Sequence, residues 1–172
     1  RIETDEDFGG DFHGADGPII VRRHQPEAWP TEQRAWYDAC RDLGYADSPD
    51  HNDPDSTGVG PTPFNTVGRV RWSTAIGYLG PARDRPNLTI RAGFQAHRIV
   101  FDGGRAVAVE GQSPAQDETL EGDEIILSGG AIGSTHLLLL SGVGPADHLN
   151  DVGVPLLHEL SGVGENLRDH PQ

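Results

Sequence analysis

The apolar residues of this chain fall in short runs whose spacing changes from helical to extended and back. After an acidic, glycine-rich opening that ends in the strong turn chemistry of Asp16-Gly17-Pro18, Ile19-Ile20-Val21 predicts a short strand. From Thr31, read as an N-cap after Pro30, the residues Ala35, Trp36, Ala39, Cys40 and Leu43 recur at helical spacing, and Gly44 is a suitable stop. Residues 46–63 are dominated by Asp, Ser, Gly and Pro and read as a long loop, of a kind that is functional or disordered. A shorter helix is expected from Ser73, with Ala75, Ile76, Tyr78, Leu79 and Ala82 as its apolar positions and Arg85-Pro86 as its end.

Beyond Asn87 the rhythm becomes extended, through Leu88-Thr89-Ile90, Ala96 to Phe101 and Ala106 to Val109, and Asp102-Gly103-Gly104 supplies a hairpin turn between the last two. Residues 112–122 are polar and read as an insertion-tolerant connection. Then come a short apolar strand, Glu124 to Leu127, the turn Ser128-Gly129-Gly130-Ala131-Ile132-Gly133-Ser134, and an apolar helical run, Leu137 to Leu140. Ser141-Gly142-Val143-Gly144-Pro145 closes that helix and opens a shorter one from Asp147 to Val152, with Pro145 suited to a first helical position.

Composition narrows the possible chemistry. Against 27 acidic residues stand 13 basic ones, all Arg, for a net charge of −14, which excludes a broad phosphate-neutralising surface and so argues against nucleic acid. A mean hydropathy of −0.49 and the lack of any apolar run near the length of a bilayer span leave no membrane segment, and the expected location is cytoplasmic. Cys40, the single cysteine, has no partner for an internal disulfide and reads as a small apolar helix residue. The chain contains no Met, opens at Arg1 and closes in a polar run, so a piece of a longer protein is expected.

The glycine turn at 128–133 is the most informative local feature. A strand running into a helix presents free backbone N–H groups, and glycines let a ligand approach them closely. On its own, Gly-Gly-Ala-Ile-Gly is more often tight strand-to-helix packing than a ligand site. It does not match the Gly-x-Gly-x-x-Gly dinucleotide fingerprint.

The longer pattern is more specific. Gly130-Ala131-Ile132-Gly133-Ser134-Thr135-His136-Leu137-Leu138-Leu139-Leu140-Ser141-Gly142-Val143-Gly144 resembles the second signature of the glucose-methanol-choline (GMC) oxidoreductases. Gly68-Arg69-Val70-Arg71-Trp72-Ser73-Thr74-Ala75, Arg85-Pro86-Asn87-Leu88-Thr89-Ile90, Gly162-Val163-Gly164-Glu165-Asn166-Leu167-Arg168-Asp169-His170 and the upstream stretch 13–21 extend the resemblance in that family's order. Thr135 departs from it, standing where Pro or Ser is usual in what reads as the first helical turn, a change expected to soften the helix start without loss of fold.

The resemblance implies a mixed α/β chain: a partial FAD-binding fold of the GMC type joined to part of a substrate-binding domain. Residues 1–72 would belong to the substrate-binding region, 73–145 to the centre of the FAD domain, and 146–172 to a connection returning toward the substrate-binding domain. The backbone of Ala96 would contact the adenine, and Ser128, Gly129, Gly130 and Ala131 would line the adenosine side of an FAD pocket, with Ser134 capping the helix. The parent would oxidise a small alcohol, or a related choline-like or sugar-like CH–OH substrate, by hydride transfer to the flavin, passing electrons to oxygen or another acceptor. The family's catalytic histidine and its partner have no counterpart in this sequence, so no catalytic residue is assigned and the piece alone is expected to be inactive. A flavin-retaining lyase and a non-catalytic FAD-fold binding module are the alternatives.

Other polar residues receive bland readings. His136 is expected to be packed in its helix, His170 to serve a turn, and His13 and His51 to be solvated in loops. Asp47, Asp50, Asp53 and Asp55 faintly suggest a calcium loop, but the twelfth position counted from Asp53 is Phe64 instead of the bidentate Glu such loops require, so a solvated loop and no metal are expected.

Overall fold

A short parallel ladder opens the structure, a computed structural model that describes residues 2–170: Glu3–Asp5 (β1) lies beside Ile19–Val21 (β2), with Glu3 opposite Ile19 and Asp5 opposite Val21. The connection between them folds back onto β1. A Cβ on Gly17 would stand 2.1 Å from the Glu3 nitrogen, so only glycine lets the turn approach this closely. The chain divides into two compact units at Thr89–Ile90.

The first unit is organised around buried charge. Arg23 donates from one terminal nitrogen to both carboxylate oxygens of Asp5 at 2.9 Å, and from the other to Asp50 Oδ1 at 2.9 Å. His13 closes the ring, with Nδ1 2.9 Å from Asp5 Oδ2 and Nε2 2.8 Å from Asp50 Oδ2. The Asp5 side chain has no solvent exposure, and those of Arg23 and His13 are 3% and 4% exposed. Phe8 covers the assembly, its ring centroid 4.6 Å from the guanidinium carbon and stacked at 5.7 Å on the imidazole. Burial works to raise the pKa of Asp5, but Arg23, the backbone N–H groups of Asp7 and Phe8, and His13 outweigh it and hold the carboxyl below its ordinary value.

This corrects two expectations. His13 is buried and ion-paired, not solvated, and Asp50 is drawn into the same ring, 14% exposed, while Asp47, Asp53 and Asp55 stay on the surface. Loop 46–63 is therefore pinned at its middle. It is also closed on itself: the Ser48 N–H donates to the Val59 carbonyl at 3.0 Å, and the Val59 N–H donates to the Ala46 carbonyl at 3.0 Å. Gly58 and Gly60 permit this, because a Cβ at either would lie within 2.2 Å of a carbonyl oxygen across the loop.

Helix α1, Thr31–Asp42, starts one residue earlier than expected, with Pro30 at the cap and Thr31 already helical. Its end is as expected. Gly44 has φ +91, its N–H reaches the Arg41 carbonyl, and the Tyr45 N–H reaches that of Cys40, the pair of bonds that closes a helix through a left-handed glycine. The second predicted helix is wound differently: Ala75–Leu79 is a π turn leading into a short α segment, Gly80–Ala82 (α2). In a regular helix the Pro81 ring would meet the carbonyl of Gly77, and a wider turn relieves that clash. A two-stranded antiparallel ribbon, Thr66–Val67 (β3) with Val70–Arg71 (β4), precedes it.

The second unit carries an antiparallel meander of Gln95–Asp102 (β5), Arg105–Gln112 (β6) and Asp117–Glu121 (β7). The predicted hairpin forms with Gly103 and Gly104 both at positive φ, the backbone of a tight two-residue turn. β7 falls in the stretch read as a polar connection. Three of its five residues are acidic, which suits an edge strand that must resist further pairing. Helix α3 (Gly130–Leu140) packs against β5, and Val143–Gly144 (β8) pairs in parallel with His158–Glu159 (β9) around the short helix α4 (Ala146–Asp151).

Two predicted strands, Leu88–Ile90 and Glu124–Leu127, join no ladder among the described residues. A strand is defined by its partner, and neither segment finds one. The buried apolar residues are correspondingly few: Val21 in the first unit, and Ile99, Ala108, Val143, Leu149 and Val163 in the second. The chain exposes 12791 Å². Two folded units of half its mass would expose about 9,900 Å² in total.

Two outcomes follow. In the full-length protein Asp5→Asn removes one charge from a buried ring and is expected to cost about 3–5 kcal/mol in urea unfolding; a loss below about 1 kcal/mol would deny the ring its structural role. Because the folded carboxyl is held below its unfolded value, this stability is complete above the unfolded pKa and drains away as pH falls through the folded one. The 172-residue chain expressed alone is expected to self-associate in size-exclusion chromatography, whereas a monodisperse monomer with a cooperative melt would contradict the surface argument.

Candidate functional site

The turn that opens α3 is built by glycine. Gly129 is the cap residue and Gly130 the first helical residue, at φ +76, a backbone that residues with a Cβ avoid. A Cβ on Gly130 would meet nothing within 4 Å, so the space beside it is open, whereas one on Gly129 would crowd the Ser134 nitrogen at 3.2 Å. Ser134 is tied back to the turn, its hydroxyl oxygen accepting the Gly129 N–H at 3.0 Å. It thus satisfies one of the donors a helix start leaves over, from inside the helix and not from the cap position. Thr135 lies in the second turn, not the first as its sequence position suggested, and its hydroxyl donates to the Ala131 carbonyl at 2.7 Å.

Ser128, Gly129, Gly130 and Ala131 are all exposed, as is Ala96 on β5, opposite Gly111 of β6. The apolar neighbours of the turn are also open: Ile126 is 76% and Ile132 77% exposed. Next to Ala96 the β5–β6 register slips between Ala96 and Arg98, a bulge of the sort that re-aims a strand end. Gly111 makes room there for Phe94, whose ring would lie 2.6 Å from an added Cβ.

One residue not singled out by sequence links the two parts of the site. The Ser141 hydroxyl accepts the Ile99 N–H from β5 at 2.8 Å and donates to the Leu137 carbonyl, so the far end of α3 is fastened to the strand that carries Ala96. Its signal was faint: a serine ending a leucine run just before Gly142, read only as part of a closing turn. Further along the meander, Arg98 bonds Glu110 and holds its carboxyl below the ordinary value, while Ser113 and Arg91 do the same for Glu118.

His136, expected to be packed, is exposed on α3, because no described element covers that face. Among the described residues His170 and Asp169 bond each other at the surface, and Asp169 is kept below its ordinary value by that contact. Leu137, Leu138 and Leu139 are half-buried and Leu140 is open, although a helix apolar on every side belongs in a core.

Comparison with known proteins places this arrangement. The GMC oxidoreductase family pattern matches residues 3–172, and the chain belongs to that family. It is 43% identical over 172 residues to an uncharacterised GMC-type oxidoreductase of Rhodococcus erythropolis, covering 100% of this chain and 35% of that protein. It is 42% identical over 175 residues to the oxygen-dependent choline dehydrogenase of Escherichia coli, covering 99% of this chain and 31% of the relative. Among solved structures, pyridoxine 4-oxidase from Mesorbium loti superposes with a TM-score of 0.84 at 31% identity, over 93% of this chain and 31% of that one. An FAD-dependent oxidoreductase from Chaetomium thermophilum gives 0.85 at 25% identity, over 98% and 31%. The chain thus spans about a third of the length of the relatives it matches.

Ser141→Ala should leave the Ile99 N–H without its acceptor and cost about 1–3 kcal/mol. Hydrogen exchange of the full-length protein should then show faster exchange at Ile99; unchanged protection there would mean that the bond does not fasten α3 to β5.

Proposed function

We propose that the parent protein is an FAD-dependent oxidoreductase that oxidises a CH–OH group of a small alcohol and passes the electrons to oxygen or another acceptor. The observation that carries this reading is the family match over residues 3–172, taken together with an exposed, glycine-built turn at 128–131, the segment that the sequence resemblance implicates in cofactor binding. FAD, when bound, supplies the hydride acceptor.

The residues present fit the adenosine end of such a cofactor. Around Gly130 the backbone is bare and the adjoining space is open, and the first-turn N–H groups of α3 have no acceptor within the helix. In this reading the Ser128–Ala131 backbone lies along the adenosine, the Ala96 backbone meets the adenine edge, and Ser134 keeps the turn in shape. Residues 73–145 then form the centre of the FAD domain, with 1–72 and 146–172 on the side of the substrate-binding domain. The proton chemistry of the alcohol falls to residues outside this chain, since a base must reach the substrate hydroxyl within hydrogen-bond distance. The relatives divide between a choline dehydrogenase and a pyridoxine oxidase, which supports alcohol oxidation as the shared activity and leaves the substrate to the rest of the parent.

The purified full-length protein is expected to carry flavin absorbance that bleaches anaerobically on addition of one member of an alcohol panel. Bound flavin that no alcohol bleaches would favour a non-oxidative role. Ala131→Phe places bulk beside the turn at an exposed, helix-compatible position; it should weaken FAD binding at least tenfold in a fluorescence titration while moving apoprotein stability by no more than about 1 kcal/mol.

A further inference from the structure

Thr135, the residue at which this chain departs from the family pattern, makes contacts with two different segments. Its hydroxyl donates to the Ala131 carbonyl at 2.7 Å, one turn back toward the glycine turn. Its methyl lies beside Gly164: a Cβ built there would be 3.7 Å from the Thr135 methyl carbon and 4.0 Å from a methyl of Leu139, the two atoms that line the space in front of that glycine. Thr135 and Leu139 stand one turn apart on α3 and so share a face. Leu139 also closes against β8, where a Cβ on Gly144 would come within 2.5 Å of it.

The hydroxyl acts on the turn through the planarity of the peptide. The Ala131 carbonyl and the Ile132 N–H belong to one peptide plane, so fixing the direction of the first fixes that of the second. The Ile132 N–H is among the donors that the start of α3 leaves without an acceptor in the helix, at the edge of the turn proposed for the adenosine. The methyl acts on residues 162–167. There Gly164 takes φ +87 and Asn166 φ +58, the one non-glycine residue among those described in the left-handed region. Asn tolerates that backbone better than most residues, but its surroundings must still hold it there. They begin at Val163, which is buried, and at Gly164 beside α3. A serine at 135 would supply the first contact without the second, and a proline would supply no hydroxyl.

We propose that Thr135 is a positioning residue for two segments at once: the cofactor turn, through its hydroxyl on the Ala131 carbonyl, and residues 162–167, through its methyl beside Gly164. The inference rests on the flavin reading of the turn and adds to it a second segment whose order depends on the same side chain. The full-length protein would be made with Thr135→Val, which keeps the methyl and loses the hydroxyl, and with Thr135→Ser, which keeps the hydroxyl and loses the methyl. Valine, serine and threonine have similar helix propensities, so α3 persists in both variants. FAD affinity is read from flavin fluorescence as the apoprotein is titrated. The order of 162–167 is read from hydrogen exchange at the Val163 and Glu165 amides, which bond the Leu160 and Gly162 carbonyls.

Thr135→Val is expected to bind FAD roughly three- to tenfold more weakly, the effect of one lost hydrogen bond, with exchange at Val163 and Glu165 unchanged. Thr135→Ser is expected to keep wild-type FAD affinity while both amides exchange faster. A general loss of stability would instead move both readouts together in both variants. The inference is overturned if Thr135→Val binds FAD as the wild type does, if Thr135→Ser leaves both amides as protected as before, or if each variant disturbs the two readouts alike. In those cases wild-type FAD binding leaves the flavin reading standing, whereas a wild-type protein that takes up no FAD overturns that reading and this inference together.

Discussion

A carboxylate with no access to water fixes the first unit of this protein. Asp5 loses its hydration completely, a loss of many kcal/mol if nothing replaced it. Its two oxygens are met instead by Arg23, by His13 and by the N–H groups of Asp7 and Phe8. The replacement has geometric consequences. Arg23 must follow β2 closely, the turn at 13–17 must fold against β1 to deliver His13, and the 46–63 loop must come inward far enough for Asp50 to meet the second terminal nitrogen of Arg23 and Nε2 of His13. Segments distant in sequence are thereby brought to one place by charge in a unit where Val21 is the one buried hydrophobic residue among those described. A ring of this kind adds little over a well-packed apolar core, but breaking one member leaves the others buried without partners. It therefore specifies an arrangement more than it deepens a free-energy minimum.

The second unit relies on backbone pairing. Three antiparallel strands satisfy one another, and the Ser141 hydroxyl carries the accounting across to α3 by accepting the Ile99 N–H. This single bond relates the two places proposed for the cofactor, Ala96 on β5 and the turn at 128–131, through the rigid body of a helix. A helix transmits position well, because its own bonds are complete between its ends. The glycine turn needs that support. Its conformation at Gly130 is held by a local contact, the Gly129 N–H to Ser134, and by the placement of the helix that follows.

What could be read from sequence was whatever local chemistry dictates. The β5–β6 hairpin followed from Asp102-Gly103-Gly104, the end of α1 from Gly44, and the turn at 128–131 from its glycines, because each needs a backbone few other residues provide. What could not be read depended on partners far along the chain. His13 and Asp50 looked solvated because a residue's neighbours in sequence say little about its neighbours in space, and the ring joins positions separated by up to 37 residues. β7 was hidden by its acidic residues, which mark an edge strand only once β6 is known to lie beside it. Ser141 was hidden for the same reason, since its partner on β5 lies 42 residues away. The family resemblance reached further than these local rules, and the cofactor contacts proposed for Ala96 and residues 128–131 rest on it.

The exposed apolar residues complete the physical argument about where function resides. Ile126 and Ile132 flank the glycine turn almost fully open, and the leucines of α3 are covered only in part. Segment Glu124–Leu127 has strand chemistry but no ladder, so its backbone donors and acceptors still require partners if it is to be buried. Both deficits occur at the same place, immediately beside the turn proposed for the cofactor. A dinucleotide site in an α/β protein is formed where strand ends meet helix starts, which requires a strand before the turn that is paired and covered. The half-built sheet edge and the bare turn therefore call for the same missing neighbours, and the cofactor's affinity should depend on strands contributed by the rest of the parent as much as on the residues this chain supplies.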